Sequence, residues 1–311
     1  MKATRDGFGE ALLELGKKDQ RIVVLSADLT ESVRAGAFKA EFPERFFSFG
    51  ISEQDMMSAA AGFALEGKIP FAATFGVFAS GRAWDQIRTS IAYMNLNVNI
   101  VGSHGGITVG PDGATHQALE DYALMRVLPN MSVVVPCDFY EAKKATEAAA
   151  FYPGPVYLRF TRNKLPFLTS ENDDFQIGKA KLFREGKDVA IIASGQMVHL
   201  SLKAADVLKE EGIFASVINL HTIKPLDRDV ILKAAQDTGA VLTVEEHQIF
   251  GGMGSAVAEL LSENNPVFVK LMGIRDSFGK SGESEELLQA FGLTSECIVE
   301  EAKELIKKKQ S

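Results

Sequence analysis

Glu53 stands at the seam between an apolar strand and an apolar helix, in the stretch Phe49-Gly50-Ile51-Ser52-Glu53-Gln54-Asp55-Met56-Met57. Ser52 reads as an N-cap with Asp55 three residues on, a variant of the capping box. A carboxylate in a first helical turn is favoured by the helix dipole, so Glu53 has a structural reading as a capping acid beside a chemical one as a proton-transfer group. Thr74-Phe75-Gly76-Val77-Phe78 then sets two aromatics three apart at a strand's end, suited either to a core or to stacking on a flat heterocycle. Further on, the loop from Gly102 to Gln117 holds glycines at 102, 105, 106, 110 and 113 together with His104, Asp112 and His116. Its glycines allow tight turns and close approach to a ligand. Its polar residues suit hydrogen bonding or proton transfer to a polyhydroxylated substrate, because neutral imidazole both donates and accepts near pH 7. The same side chains are of metal-binding type, but no compact helical pair of histidines accompanies them.

Positioning these residues requires strands that end beside one another. Phe8, Ala11, Leu12 and Leu15 mark one face of a first helix, and Ile22–Leu25 reads as a buried strand ending at Ser26-Ala27-Asp28. Strands are predicted at Arg45–Phe49, Ile69–Phe75, Val98–Val101, Val133–Val135 and Val156–Phe160. Between them the pattern predicts helices from Glu53, over Ser80–Asn95, Leu119–Val127 and Phe139–Ala150. Continuous Val/Ile runs indicate strands covered on both faces, hence a mainly parallel sheet. Periodicity lapses over Asn163–Gly178, and a second series follows with strands at Val189–Ala193, Ala215–Leu220, Ala240–Val244 and Val267–Leu271 and a last helix near Glu296–Lys308. The expected fold class is α/β, with two doubly wound, mainly parallel-sheet domains over residues 1–165 and 180–311 joined by a linker at 166–179. Ligands in such sheets sit at the carboxyl ends of strands, where Asp28, Glu53, Phe75, Phe78 and His104 all fall.

Composition narrows the partners. Thirty-three Lys and Arg against 41 Asp and Glu give a formal net charge of −8, which argues against a general nucleic-acid or anionic-membrane surface, so an anionic substrate must be held by local arginines. Cys137 and Cys297 are too few for a disulfide framework or a zinc cluster and read as inert. The amino terminus lacks a signal-peptide apolar core and no run is long enough to span a bilayer, which together predict a cytoplasmic protein.

Ala3-Thr4-Arg5, Ser26-Ala27-Asp28-Leu29-Thr30-Glu31-Ser32, Gly50-Ile51-Ser52-Glu53, Thr74-Phe75-Gly76-Val77-Phe78, Asp112-Gly113-Ala114-Thr115-His116-Gln117, Leu128-Pro129-Asn130 and Thr161-Arg162-Asn163 occur in one serial order. In that order they resemble the carboxyl-terminal half of transketolases, the pyrimidine-binding domain plus the C-terminal domain. The resemblance covers essentially the whole chain. It implies thiamine diphosphate as cofactor and transfer of a two-carbon ketol unit from a ketose phosphate to an aldose phosphate, as in the pentose phosphate pathway. By the same resemblance Glu53 would hydrogen-bond N1′ of the aminopyrimidine, with its carboxyl raised by burial beside Phe75 and Phe78, which would stack on the ring. Asp28 would belong to the cofactor's surroundings. His104, Asp112 and His116 would contact sugar hydroxyls and the reacting carbonyl, His116 as a catalytic group. Arg5, Ser32 and Arg162 would form a phosphate clamp, which suits arginine's bidentate geometry. One departure is visible: where the family often has a tyrosine three residues after the second phenylalanine, this chain has Gly81.

Enzymes of this kind hold diphosphate and magnesium through a Gly-Asp-Gly motif followed, after about 25 to 30 residues, by Asn. Pro111-Asp112-Gly113 lacks the first glycine, and no asparagine follows at that distance. The chain therefore resembles one subunit of a split transketolase, with Mg2+ on an amino-terminal partner subunit and a homodimer of this chain joined by two copies of that partner. Glu245-Glu246-His247 and Gly251-Gly252-Met253-Gly254-Ser255 in the second half read as tight helix–sheet packing, and His199, His221 and His247 carry no catalytic expectation. The nearest alternatives are the β-subunit of a 2-oxo acid dehydrogenase E1 component and a deoxyxylulose phosphate synthase. A metal-dependent hydrolase using His104, Asp112 and His116, and a noncatalytic regulatory paralogue, are the readings of other classes.

Overall fold

A computed structural model describes residues 1–311. The first half carries β1 (Lys2–Ala3), β2 (Ile22–Ser26), β3 (Phe46–Ser48), β4 (Ile69–Phe75), β5 (Asn99–Ser103), β6 (Ser132–Val134), β7 (Val156–Arg159) and β8 (Lys164–Leu165). The second carries β9 (Lys181–Arg184), β10 (Val189–Ala193), β11 (Ala215–Asn219), β12 (Thr222–Lys224), β13 (Ala240–Gln248) and β14 (Phe268–Ile274). One sheet runs β12-β6-β7-β5-β4-β2-β3, and the other β14-β13-β10-β11-β9. All neighbours in both are parallel except the pairs made by β12 and β9, so the architecture is α/β and mainly parallel. The central strands β2, β4, β5, β10 and β11 are buried at every residue, as continuous apolar runs require when helices cover both faces. No helix is long and apolar enough to cross a membrane.

Four features depart from the sequence pattern. Ser52 does not cap its helix: its hydroxyl turns back to donate to the Phe49 carbonyl at 2.6 Å, leaving Glu53 and Asp55 as the acids of the first turn of the Glu53–Leu65 helix. The helix expected over Ser80–Asn95 is two π-helical segments, Phe78–Arg82 and Ile87–Ala92, on either side of a short α-turn at Trp84–Gln86. The apolar spacing there satisfies a helix of either width, so periodicity alone does not separate them. The stretch after Arg162 is not uniformly irregular, because β8 pairs antiparallel with β1. Two short antiparallel edges, β9 and β12, are too brief and too mixed in character to stand out, and β12 lies beyond residue 180 yet belongs to the first sheet, paired with β6.

The two halves share their interior. One apolar core runs from Val23, Met56 and Ile100 of the first half to Ala190, Ile218 and Val257 of the second. Beside it lies a buried polar network. Arg159 at the end of β7 donates from Nε to Asp121 Oδ2 at 2.9 Å, from Nη1 to the Tyr122 hydroxyl at 2.9 Å, and from Nη2 to the carbonyls of Ala118 and Glu246 at 3.0 Å each. Tyr157 adds a hydroxyl to Asp121 Oδ2 at 2.8 Å. Glu246, from β13, accepts from the Thr108 amide and hydroxyl at 2.8 Å and from Gln196 Nε2 at 2.6 Å. Its neighbour Glu245 accepts from the amides of Met253 and Gly254 at 2.7 and 2.8 Å, so a side chain of this protein already occupies the amino terminus of the Met253–Asn264 helix. Burial nevertheless pushes the Glu245 carboxyl up to about 7. The tight helix–sheet packing read from the glycines holds here, since a Cβ on Gly252 would lie 2.3 Å from Glu245 and one on Gly254 2.5 Å from Thr243.

Removing one member of a buried charge pair leaves the other uncompensated. Arg159→Leu is expected to lower unfolding free energy by about 3–5 kcal/mol, read as a lower urea midpoint. Adding Asp121→Leu should return part of that loss, and a midpoint unchanged by Arg159→Leu would show the network to be energetically idle.

Candidate active site

The carboxyl ends of β2, β3, β4 and β5 lie side by side and deliver Asp28, Glu53, Phe75 and His104 to one edge of the first sheet. Glu53 opens its helix with a side chain only 1% exposed. It is not a solitary carboxyl beside two aromatics. Arg82 donates from Nη1 to Glu53 Oε2 at 2.7 Å, and the Thr74 hydroxyl donates to Oε1 at 3.3 Å. Glu53 thus has two side-chain hydrogen-bond partners beside its aromatic neighbours.

Phe75 and Phe78 lie with ring centroids 6.2 Å apart and planes within 14°. Phe75 also packs on the His104 ring at 4.1 Å, and His116 approaches edge-on at 5.4 Å from Phe78 and 6.2 Å from Phe75. Glu53, Phe75, Phe78, His104 and His116 thus form one group. The guanidinium of Arg82 lies over Phe78 at 4.3 Å while bound to Glu53.

His104 sits at φ 57°, in the left-handed region, and its ring meets Arg5 of the first helix. Its Nε2 lies 3.0 Å from Arg5 Nη1 and its Nδ1 2.8 Å from the Ser103 hydroxyl. Arginine has donors only, so Nε2 accepts and Nδ1 carries the proton. Desolvation, and then the charges of Arg5, Arg162 and Arg34, push this imidazole down to about 3. It is a neutral hydrogen-bonding group at physiological pH. Arg5 also donates to the Ser32 carbonyl at 3.0 Å, so Ser32 meets Arg5 through its backbone. Arg162 donates to the Val109 carbonyl at 3.0 Å and stands 3.6 Å from Asp112, both side chains being well exposed.

Arg5, Arg34 and Arg162 therefore gather a local positive field beside His104 in a chain of net charge −8. Asp28 lies at the same sheet edge in a left-handed conformation, exposed, and shares no hydrogen bond with the group. His104, Asp112 and His116 do not converge as metal ligands: their polar atoms turn to Arg5, Arg162 and Thr115 respectively, and no set of three or more His, Cys, Asp or Glu side chains is gathered for a metal. The hydrolase alternative loses its ligand set. Sequence reading missed Arg82, Thr74 and Arg34. Arg34 is two residues from Ser32, and Arg82 is next to Gly81, where a Cβ would meet nothing within 4 Å.

The loop glycines serve the interior more than the surface. A Cβ on Gly105 would lie 2.2 Å from Arg159 Nε, and one on Gly106, which has φ 80°, 2.1 Å from the Glu246 carboxyl carbon. Gly105 and Gly106 are small because the loop presses there on the buried network, and the positive φ of Gly106, Gly110 and Gly113 bears out the tight turns read from sequence.

Residues 1–167 match the family model described as transketolase, pyrimidine binding domain, and residues 178–298 match transketolase, C-terminal domain. A Methanocaldococcus jannaschii protein provisionally named a transketolase C-terminal section is 48% identical over 311 residues, covering 99% of this chain and 97% of its own. A 6-deoxy-6-sulfo-D-fructose transketolase subunit from a Clostridium strain is 45% identical, covering 98% of this chain and 95% of its own. Among solved structures, one titled split gene transketolase, inactive beta4 tetramer, superposes with a TM-score of 0.93 at 47% identity, covering 99% of this chain and all of its own.

The neutral His104 has a measurable consequence. Its folded value lies below the ordinary 6.5, so between pH 6.5 and about 3 the unfolded chain takes up a proton that the folded chain refuses, and stability falls as pH drops through that window. Arg5→Met should raise the titration midpoint of the His104 ring, followed by its Cε1–H resonance, and should lessen the acid-side loss of stability. A wild-type ring titrating near its ordinary value would contradict the assigned neutral tautomer.

Proposed function

This chain belongs to the transketolase family, as the C-terminal subunit of the split form, and we propose that it builds the pyrimidine half of a thiamine diphosphate site completed by an N-terminal partner subunit. The observation that carries the reading is the buried Glu53 carboxylate at a strand-to-helix seam, next to the near-parallel rings of Phe75 and Phe78. In this reading residues 1–165 are the pyrimidine-binding domain, 166–179 a linker and 180–311 the C-terminal domain. Thiamine diphosphate, when bound, supplies the carbon nucleophile that accepts and passes on the two-carbon ketol unit.

The chain's own residues do the rest. Glu53 shares a proton with N1′ of the aminopyrimidine, and Phe75 and Phe78 stack on the ring, with Asp28 at the rim of the same pocket. Neutral His104, whose Nε2 is an acceptor, can take a hydrogen bond from a substrate hydroxyl when Arg5 turns to the anion, without adding a charge, while His116, beside the aromatic pair, serves as the proton-handling group for the reacting carbonyl. Arg5, Ser32 and Arg162 receive the anionic end of the substrate, and Asp112 meets a sugar hydroxyl. We read that substrate as a ketose phosphate with an aldose phosphate acceptor, in the chemistry of the pentose phosphate pathway. The Clostridium relative is named for a sulfonated sugar, and a sulfonate would meet the same arginines.

Mg2+ is placed on the partner because the Gly-Asp-Gly motif is missing from this sequence. A homodimer of this chain with two copies of the partner suits the exposed apolar side chains close to the seam and the broken helix, Ile51 at 77%, Tyr93 at 83% and Met94 at 53% exposure. A cytoplasmic setting suits the two free cysteines, which fit a reducing compartment.

Purified alone, the chain is expected to bind thiamine diphosphate with Mg2+ weakly by calorimetry and to lack ketol transfer between xylulose 5-phosphate and ribose 5-phosphate. Both should appear on mixing with the N-terminal subunit, and Glu53→Ala in that assembly should slow turnover by about 10² to 10⁴. Full activity from this chain alone would overturn the split-site reading, and activity with pyruvate would favour the E1 or deoxyxylulose phosphate alternative.

The arginine clamp makes a separate demand. Arg162→Ala should raise KM for phosphorylated sugars by about 10- to 150-fold, the worth of one charged hydrogen bond, while hydroxypyruvate, which has no phosphate, keeps its KM. Equal losses for both donors would remove Arg162 from the clamp.

A further inference from the structure

Arg82 ends the π-helical segment Phe78–Arg82, whose wider turn is of the kind often found at functional sites. From there its guanidinium makes two contacts at once: a 2.7 Å hydrogen bond to Glu53 Oε2 and a 4.3 Å approach over the Phe78 ring. Those are the contacts that the proposed function gives to the aminopyrimidine, and a flat guanidinium and a flat ring cannot hold the same carboxylate oxygen and aromatic face together. The two ends of the ion pair differ in kind. The Glu53 side chain is 1% exposed and fixed at the start of its helix, whereas Arg82 is 43% exposed on a long stem that can carry its charge into water.

A buried carboxylate without a partner is costly, so before assembly something must satisfy Glu53. Thr74 reaches Oε1 at 3.3 Å, and Arg82 takes the other oxygen. We propose that Arg82 is a positioning residue that stands in for the pyrimidine: it holds Glu53 and the Phe78 face in binding geometry, and yields both to the ring when the cofactor enters. This inference rests on the reading of Glu53 and Phe78 as the pyrimidine cradle. It opposes the plainer role of a fixed structural ion pair, because a stand-in competes with the ligand while a structural pair supports it. The sign of the effect on binding separates the two.

The test uses the full chain and the free pyrimidine half of thiamine, 4-amino-5-hydroxymethyl-2-methylpyrimidine, titrated by NMR into wild type, Arg82→Met, Arg82→Lys and Arg82→Met/Glu53→Gln. Arg82→Met, which keeps length and loses charge and planarity, is expected to bind the probe about 2- to 10-fold more tightly than wild type, the worth of a half-exposed ion pair. Arg82→Lys should fall between them. In wild type, the Arg82 Nε–H resonance should move toward that of a solvated arginine as probe is added. Glu53→Gln in the Arg82→Met background should weaken binding. Arg82→Met binding no better than wild type, or an unmoved Arg82 resonance at saturation, would overturn the stand-in while leaving the cradle in place. Absence of probe binding in every variant would overturn the cradle reading, and the stand-in with it. The same order of affinities is expected for thiamine diphosphate with Mg2+ in the assembly with the N-terminal subunit, and the reverse order there would also refute the proposal.

Discussion

The guanidinium of Arg159 is the fixed point of the molecule. It has 2% of its side chain exposed, and its bonds run to a carboxylate, a phenol and two carbonyls drawn from separate parts of the chain, including β13 of the second half. An ion so deeply buried is tolerable only with its hydrogen-bonding capacity met, and that demand ties the positions of Asp121, Tyr122, Ala118 and Glu246 to one another. Glu246 in turn holds Thr108, and Gly105 and Gly106 lie flat against Arg159 and Glu246. The loop that begins with His104 is therefore fastened from beneath, and its tip can be polar and exposed at Asp112 without losing its place. Tyr122 stacked on His247 at 4.6 Å, with planes within 2°, extends the same fastening across the two halves.

Above that base, the site works by contrast between neighbouring groups. Three arginines concentrate positive charge in a chain with an acidic excess, and their nearest imidazole is kept neutral by its own burial and by them. A charged histidine there would add a further positive charge to the cluster at a buried position. Cys137 is treated in the same spirit by its surroundings: burial, with Glu141 and Asp138 nearby, pushes its thiol well up and leaves it unreactive. The candidate site residues of this chain lie at one edge of one sheet, and the second half supplies the floor on which that edge rests.

Much of this was legible in residue order. Long apolar runs fix β4 and β10 at the ends read from sequence, and the polar residues that follow the first-half strands mark the sheet edge where Glu53, Phe75 and His104 meet. What escaped did so for physical reasons. The width of a helical turn leaves little trace in apolar spacing, so the π-helical segment, and with it the reach of Arg82, was invisible. Ser52 has the right type for a cap, but the strand end offers its hydroxyl the Phe49 carbonyl. Glycines announce close approach without saying to what, and here the answer was Arg159 and Glu246. Edge strands as short as β9 and β12 are specified by their neighbours more than by their own residues.

β12 has a consequence for how this protein can be divided. The segment leaves the second half, pairs with β6, and fastens there: Val135 donates its amide to the His221 carbonyl at 2.7 Å, and Lys224 donates to the carbonyls of Arg126 and Leu128 at 2.9 and 2.5 Å. A cut within residues 166–179 looks harmless along the chain, yet it would strip β6 of its neighbour and bare a row of unpaired amides and carbonyls, the surface on which sheets of separate molecules join and aggregate. The two halves are two sheets to the eye and one unit in their hydrogen bonding, since neither can be cut away without taking a neighbour from the other.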